Sequence, residues 1–318
     1  MALPSDKSTK NFIHYLKDYS DYKKRHNVAL VGKSKTGKTV LGALIIRTLM
    51  DKKNQLGVVI DKGDAWLTFN ELLINRLENP KKPQWPTPTP HVNLKPYHLN
   101  LIKEGDLFDE KTIDIRFNDI GGEFYNEILQ NFRIAPPSYD EDDTLTKNLL
   151  WELLTKDSYG DKVGPYANIA LARCLVFLFD FKDEEGWTPK QWMEYIGDYS
   201  FILSSVARRR WYFESKNDRN FDCKIAVVFT KSDQCKTEDK SLDAKRILEK
   251  YANDFRIPIE AIKPRGFHAF KIGIKTKPND EAGKDVPKFI PDLDKNNHLQ
   301  AEDPKEMESF LHWLLEEV

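Results

Sequence analysis

The chain has 318 residues, 40% hydrophobic and 31% charged, which is enough apolar material for one large α/β domain with insertions or two small domains. Lys and Arg number 49 against 50 Asp and Glu, so the net charge of −1 gives no bulk electrostatic reason to expect nucleic acid or an acidic membrane as partner. The three cysteines, Cys174, Cys223 and Cys235, form no CxxC pair and two of them open apolar runs, which points to buried reduced thiols and a cytoplasmic setting. The start of the chain lacks a long apolar stretch and no run approaches 18 apolar residues, so neither a signal peptide nor a membrane span is expected.

Residues 10–25 place Phe12, Ile13, Leu16, Tyr19 and Tyr22 at three- and four-residue spacings, which predicts a helical extension, residues 1–26, ahead of the first strand. Asn27–Val31 is a short apolar run stopped by Gly32, and Thr39–Met50 reads as a helix. A strand at Gly57–Ile60 and a helix around Asp64–Leu77 follow, and then NPKKPQWPTPTP, whose prolines fix an extended loop. Tyr97–Ile102 and Thr112–Asn118 alternate across a polar connection and predict a β-hairpin running into Asp119-Ile120-Gly121-Gly122. Residues 123–170 carry a short helix, an acidic PPSYDEDD loop and a helix at Thr144–Leu154. Cys174–Phe179 is a continuous apolar run suited to a strand buried on both faces, and Cys223–Phe229 reads as another buried strand. Helices are expected at Trp187–Arg210, Leu242–Phe255 and Pro304–Val318, and a last strand at Phe267–Ile274. The alternation predicts an α/β fold with a mostly parallel sheet, and residues 54–95, 130–170 and 276–300 read as insertions, the last of them polar and exposed.

Gly32-Lys33-Ser34-Lys35-Thr36-Gly37-Lys38-Thr39 matches GxxxxGK[ST] between a strand and a helix, the context that a phosphate-binding loop requires. Glycines let backbone N–H groups wrap phosphates, the helix N-terminus with Val40 in its first turn adds positive potential, Lys38 reaches the β and γ phosphates, and the Thr39 hydroxyl ligates Mg²⁺. That motif selects a nucleoside triphosphate and is silent about the base. An isolated glycine turn with an exposed lysine is the blander interpretation, and the strand–loop–helix context argues against it.

Thr230-Lys231-Ser232-Asp233 follows the buried strand and resembles the [NT]KxD element of GTPases. The resemblance implies that the Asp233 carboxylate accepts from N1–H and the 2-amino group of guanine, with Lys231 along the ring. Adenine lacks that donor pair, and sites built on specific hydrogen bonds discriminate by roughly 10⁴. Asp119-Ile120-Gly121-Gly122-Glu123 resembles DxxG, and its double glycine is similar to the Arf and G-alpha branches. The resemblance implies Asp119 holding Mg²⁺ through water and Gly122 giving its N–H to the γ phosphate. Asp180, closing CLVFLFD, is the rival metal acid, because an apolar strand ending in Asp is also the form of a Walker B motif. Thr87 and Thr89 occupy the place of the switch threonine that contacts Mg²⁺ and the γ phosphate, with Thr89 preferred. Gly273-Ile274-Lys275 stands where the family has its last guanine element, with Ile274 as the contact, and matches it poorly.

These motifs, in this order over residues 27–318, resemble Ras-like P-loop GTPases of the TRAFAC class. Within it the chain is most similar to the bacterial proteins called double-GTPases, which implies a place in a multi-protein bacterial system with regulatory or effector partners. The implied activity is that of a Mg²⁺-dependent molecular switch cycling between GTP and GDP. Many relatives carry a water-orienting Gln where this chain has Glu123, and a carboxylate beside the γ phosphate is electrostatically unfavourable, so hydrolysis is expected to be slow and partner-dependent. Two other classes stay open: a P-loop ATPase or small-molecule kinase using Asp180, and a pseudo-GTPase scaffold that holds nucleotide without turnover. Arg208, Arg209 and Arg210 read more simply as a charged helix end than as a partner surface.

Overall fold

The computed structural model describes residues 26–33, 36–61, 69–86, 97–103, 111–117, 169, 172–181, 189–214, 221–235, 237–280 and 287–316. Its centre is a seven-stranded sheet of β1 (His26–Val31), β2 (Val58–Asp61), β3 (Tyr97–Lys103), β4 (Lys111–Phe117), β5 (Cys174–Asp180), β6 (Phe221–Thr230) and β7 (Pro264–Ile272), in the spatial order β2-β3-β4-β1-β5-β6-β7. β1 pairs in parallel with β4 and β5, β5 with β6, and β6 with β7. β3 runs antiparallel to both β2 and β4, so a mostly parallel sheet carries one reversed strand, as the sequence predicts.

Helices cover both faces. α1 (Lys38–Leu56) and α5 (Pro304–Leu315) lie on one, and α2 (Pro189–Glu214), α3 (Ala244–Tyr251) and α4 (Asn253–Ile262) on the other. β5 shows why the sheet needs two layers. Leu175, Phe177 and Phe179 enter one cluster with Tyr199, Val227 and Phe255, while Cys174, Val176 and Leu178 enter the other with Leu44, Ile45 and Phe310. A strand buried on both faces cannot alternate apolar and polar residues, which is why its sequence is a continuous run. Each of these large side chains contributes about 1.5–3 kcal/mol on burial. The Tyr199 hydroxyl, fully buried, donates to the Leu178 carbonyl at 2.5 Å and so avoids the cost of an unpaired polar group.

Several elements differ in detail from expectation. The segment Leu242–Phe255, read as one helix, is two, broken at Ala252 (φ −132°, ψ 29°); no Gly or Pro stands at the break, so nothing in the local sequence announces it. Residues 69–77 are helical but finish in a π-helical turn, Leu73–Leu77. Residues 276–300 are ordered where described: β8 (Thr276–Pro278) pairs antiparallel with β9 (Phe289–Pro291), and Leu299 is buried in the core. A glycine in the left-handed region, Gly57 at φ 60°, ends α1 and turns the chain into β2. All three cysteines are buried and outside any disulfide, and no described helix is long and apolar enough to cross a membrane. The helices expected at 10–25 and Thr144–Leu154 fall outside the described residues.

Candidate functional site

The winding of the sheet reverses at β1: β2, β3 and β4 are laid down on one side of it and β5, β6 and β7 on the other, with both its neighbours parallel to it. Ligands of open α/β sheets bind outside the carboxyl ends of the strands at such a point. The loop after β1 lies there. Lys38 is almost fully buried at the start of α1, and its ammonium donates to the carbonyls of Gly32 (2.8 Å) and Lys33 (2.7 Å). The Thr36 hydroxyl donates to the same Lys33 carbonyl at 2.9 Å. A Cβ on Gly32 would sit 2.5 Å from Thr36 Oγ1, so only glycine admits this closure, and Gly37 takes φ 83°. Thr39 and Val40 follow in the first turn of α1, both partly buried, with Val40 against the core. The Lys33 side chain leaves the loop for α2: its ammonium meets the Asp198 carboxylate at 2.6 Å and lies 4.5 Å over the Tyr195 ring.

The second motif reaches the first through a hydrogen bond from Thr230. Thr230, the last residue of β6, is buried, and its hydroxyl donates to the Thr36 carbonyl at 2.7 Å, with the Phe179 carbonyl sharing the proton at 3.1 Å. Lys231 then adopts the left-handed conformation (φ 58°, ψ 34°), uncommon for a side chain of its size, and a 3₁₀ turn, Ser232–Gln234, follows. The Lys231 ammonium meets Asp180 Oδ2 at 2.5 Å.

Asp233 sits on that turn and accepts from the Thr276 hydroxyl at 3.1 Å. Burial first, and the Glu302 carboxylate second, push its pKa from the ordinary 3.8 up to about 6, against the lowering effect of hydrogen bonds from Gln234 and Thr276. Glu302 in turn accepts from Ser232 Oγ at 2.7 Å. The loop after β7 closes on this turn because residue 273 has no side chain: a Cβ there would lie 2.6 Å from Ser232 Oγ and 2.8 Å from the Asp233 nitrogen. The neighbouring Ile274 is 4% exposed and packs in the core, so its side chain is turned away from any ligand and only its backbone can line the site. It bridges to Ala301, while Lys275 N donates to the Gln300 carbonyl and Glu302 N to the Gly273 carbonyl.

The structure thus sets Thr230 against the loop that carries Gly32, Lys33, Thr36, Gly37, Lys38 and Thr39, with Lys231 and Asp233 following it in the chain. Ser34, Lys35, Thr87, Thr89, Asp119, Gly121, Gly122 and Glu123 lie outside the described residues. Among the described residues no three metal-ligating side chains converge. Magnesium held by one hydroxyl, phosphate oxygens and waters requires no such cage, and Thr39, placed one residue after Lys38, has the donor chemistry for it. Thr276, Glu302 and Asp198 carry no motif, and their parts in the site come from contacts spanning 43, 70 and 165 residues of chain, the last of them from Lys33 to Asp198.

Comparison with known proteins returned no matching family model and no matching curated protein. Among solved structures, the chain is similar to one in the signal recognition particle receptor SRb-GTP/SRX complex from Chaetomium thermophilum, at 13% identity and a TM-score of 0.41, covering 77% of this chain and 93% of that one. It is also similar to a nucleolar GTP-binding protein 1 from Plasmodium falciparum, at 13% identity and a TM-score of 0.28, covering 77% and 78%. Both scores lie below 0.5, so what the chain binds is argued from its own residues.

Proposed function

We propose that this chain is a guanine-nucleotide-binding protein of Ras-like type, a Mg²⁺-dependent switch with slow, partner-dependent GTP hydrolysis. The observation that carries this is the Thr230–Thr36 hydrogen bond, which couples a phosphate loop to the turn bearing Asp233. The two motifs are 194 residues apart, and incidental matches would have no reason to meet. Lys38 and the amides at the start of α1 supply the phosphate cradle, and Thr39, with Asp119 and Thr89, would hold magnesium, which neutralises charge on the β and γ phosphates. Asp233 selects guanine, Lys231 flanks it, and Gly122 reads the γ phosphate. Glu123 in place of a glutamine supports slow turnover, and Lys38 supplies the cation that a developing phosphate charge requires. Residues 27–318 then form one G domain with insertions, preceded by a helical extension, acting in the cytoplasm, within a bacterial multi-protein system.

Identification of the nucleotide released on denaturing the purified chain tests this reading, with GDP or GTP as the expected result. Asp233→Asn should move preference from guanine to xanthine nucleotides. Adenine nucleotide in the wild type, or an unchanged preference in the variant, would favour the ATPase or kinase reading. Bound guanine nucleotide without turnover in the presence of cell extract would favour the scaffold.

A further inference from the structure

The carboxyl ends of β5 and β6 hold an ion pair whose acid the sequence presents as a metal ligand. Asp180 lies opposite Thr230 in the parallel register, so the residue after Thr230 is the one able to reach it. Lys231 does so from a left-handed backbone, with 2.5 Å between its ammonium and Asp180 Oδ2. The Asp180 side chain is 12% exposed and that of Lys231 26%, so the pair is shielded from water over most of its surface. The Tyr195 ring packs 5.6 Å from that of Phe179, the residue before Asp180, and carries the Lys33 ammonium on its face. The two cations flanking the phosphate loop and the base turn are therefore each tethered by a carboxylate, Lys33 by Asp198 and Lys231 by Asp180.

We propose that Asp180 is a positioning residue for Lys231: its carboxylate fixes the lysine so that the alkyl stem forms one wall of the purine site, and it sets nucleotide residence time without binding magnesium. This rests on the guanine-nucleotide reading above. A free lysine loses rotamer freedom when a ligand immobilises it, and a lysine already held by a carboxylate does not lose it again on binding. A carboxylate engaged by an ammonium is also a poorer ligand for a divalent ion, since the pair is formally neutral.

The test is a double-mutant cycle on dissociation of fluorescent GDP, with and without Mg²⁺, using Asp180→Asn, Lys231→Met and the double variant. Asp180→Asn should speed release roughly three- to tenfold, the cost of one newly immobilised side chain. The same change should have no effect in the Lys231→Met background, and slowing of release by Mg²⁺ should persist throughout. Additive effects, or loss of the Mg²⁺ response in Asp180→Asn, would overturn the proposal. Should that variant not fold, Lys231→Met alone decides: its half-maximal Mg²⁺ concentration should match the wild type, and a tenfold tightening would reveal a metal acid released from its partner. Wild-type protein that binds no guanine nucleotide removes the parent reading as well, whereas additivity in a GDP-binding protein removes this inference alone.

Discussion

Thr230 Oγ1 lies 2.7 Å from the carbonyl oxygen of Thr36, and through that contact the end of β6 bears directly on the phosphate loop. A Cβ on Gly37 would stand 3.7 Å from both Thr230 Cβ and Thr230 Oγ1, so Thr230 borders the loop at Gly37 as well. Thr230→Val keeps the shape and removes the donor, leaving the Thr36 carbonyl buried without this partner. The expected result is a stability loss of about 1–3 kcal/mol and weaker GDP binding. Thr230→Asn, the other residue the motif admits, should restore binding; chemical denaturation and nucleotide titration measure both.

The raised pKa of Asp233 predicts how binding depends on pH. Guanine donates to the ionised carboxylate, so affinity should fall as pH drops below about 6, by up to tenfold per unit. Phosphate protonation falls in the same range, but it is common to the wild type and to Asp233→Asn, so the difference between the two slopes isolates Asp233. For the empty protein the sign is the reverse: a carboxyl whose folded pKa exceeds its ordinary 3.8 costs stability above about pH 6, and the cost fades as pH falls toward 4. Asp233→Asn should therefore raise the melting temperature at pH 8 and change it little at pH 4.

Gly273→Ala should damage the site more than the fold. The new Cβ would meet the Asp233 backbone nitrogen at 2.8 Å and Asp233 Oδ1 at 2.9 Å, and a backbone atom cannot swing aside as a side chain end can. Overpacking of this kind costs roughly 1–3 kcal/mol. On the guanine-nucleotide proposal GDP affinity should fall further, because the atoms displaced belong to Asp233, the residue assigned to the base. Gly266→Ala, within β7, is the control, with its nearest neighbour Lys224 Cγ at 3.7 Å, an ordinary contact, and should change stability by no more than about 0.5 kcal/mol.

Arg47 on α1 and Glu78 after the π-helical turn form a buried bidentate pair, with 2.6 Å between Arg47 Nε and Glu78 Oε1. Oε1 also accepts from the Leu299 amide at 2.8 Å. Removing one member leaves the other buried, so Arg47→Met and Glu78→Gln should each cost about 3–5 kcal/mol. The paired change Arg47→Met with Glu78→Gln should cost less than the sum of the single changes, and urea titration of the four proteins measures the coupling.

How far the sequence foretells this molecule depends on whether the signal is local. β5 is legible because a doubly buried strand is apolar along its run, β6 because Ile225–Phe229 repeats that pattern after the buried Lys224, and the phosphate loop because its conformation demands Gly32, Gly37 and Lys38 at fixed spacing. Thr230-Lys231-Ser232-Asp233 is legible as a turn after a strand. Its meeting with Thr36 depends on strand order, which no short window encodes. Asp180 shows the limit most clearly, since an acid ending an apolar strand can face a metal or a cation, and only the register with β6 places Lys231 beside it. Ile274 is read from its position after the last strand alone, and the burial of its side chain in the core is not encoded in that position. Residues 276–300 look exposed by composition, yet the backbone pairing that orders them is invisible to composition.

The edge strand β2 has a consequence for how far its neighbours can move. The β3–β4 hairpin is laddered on both sides: four residues of β2 pair with β3, and four of β1 with β4. Sliding the hairpin along its neighbours would break both ladders together. The four strands therefore act as a fixed rail on this side of the sheet.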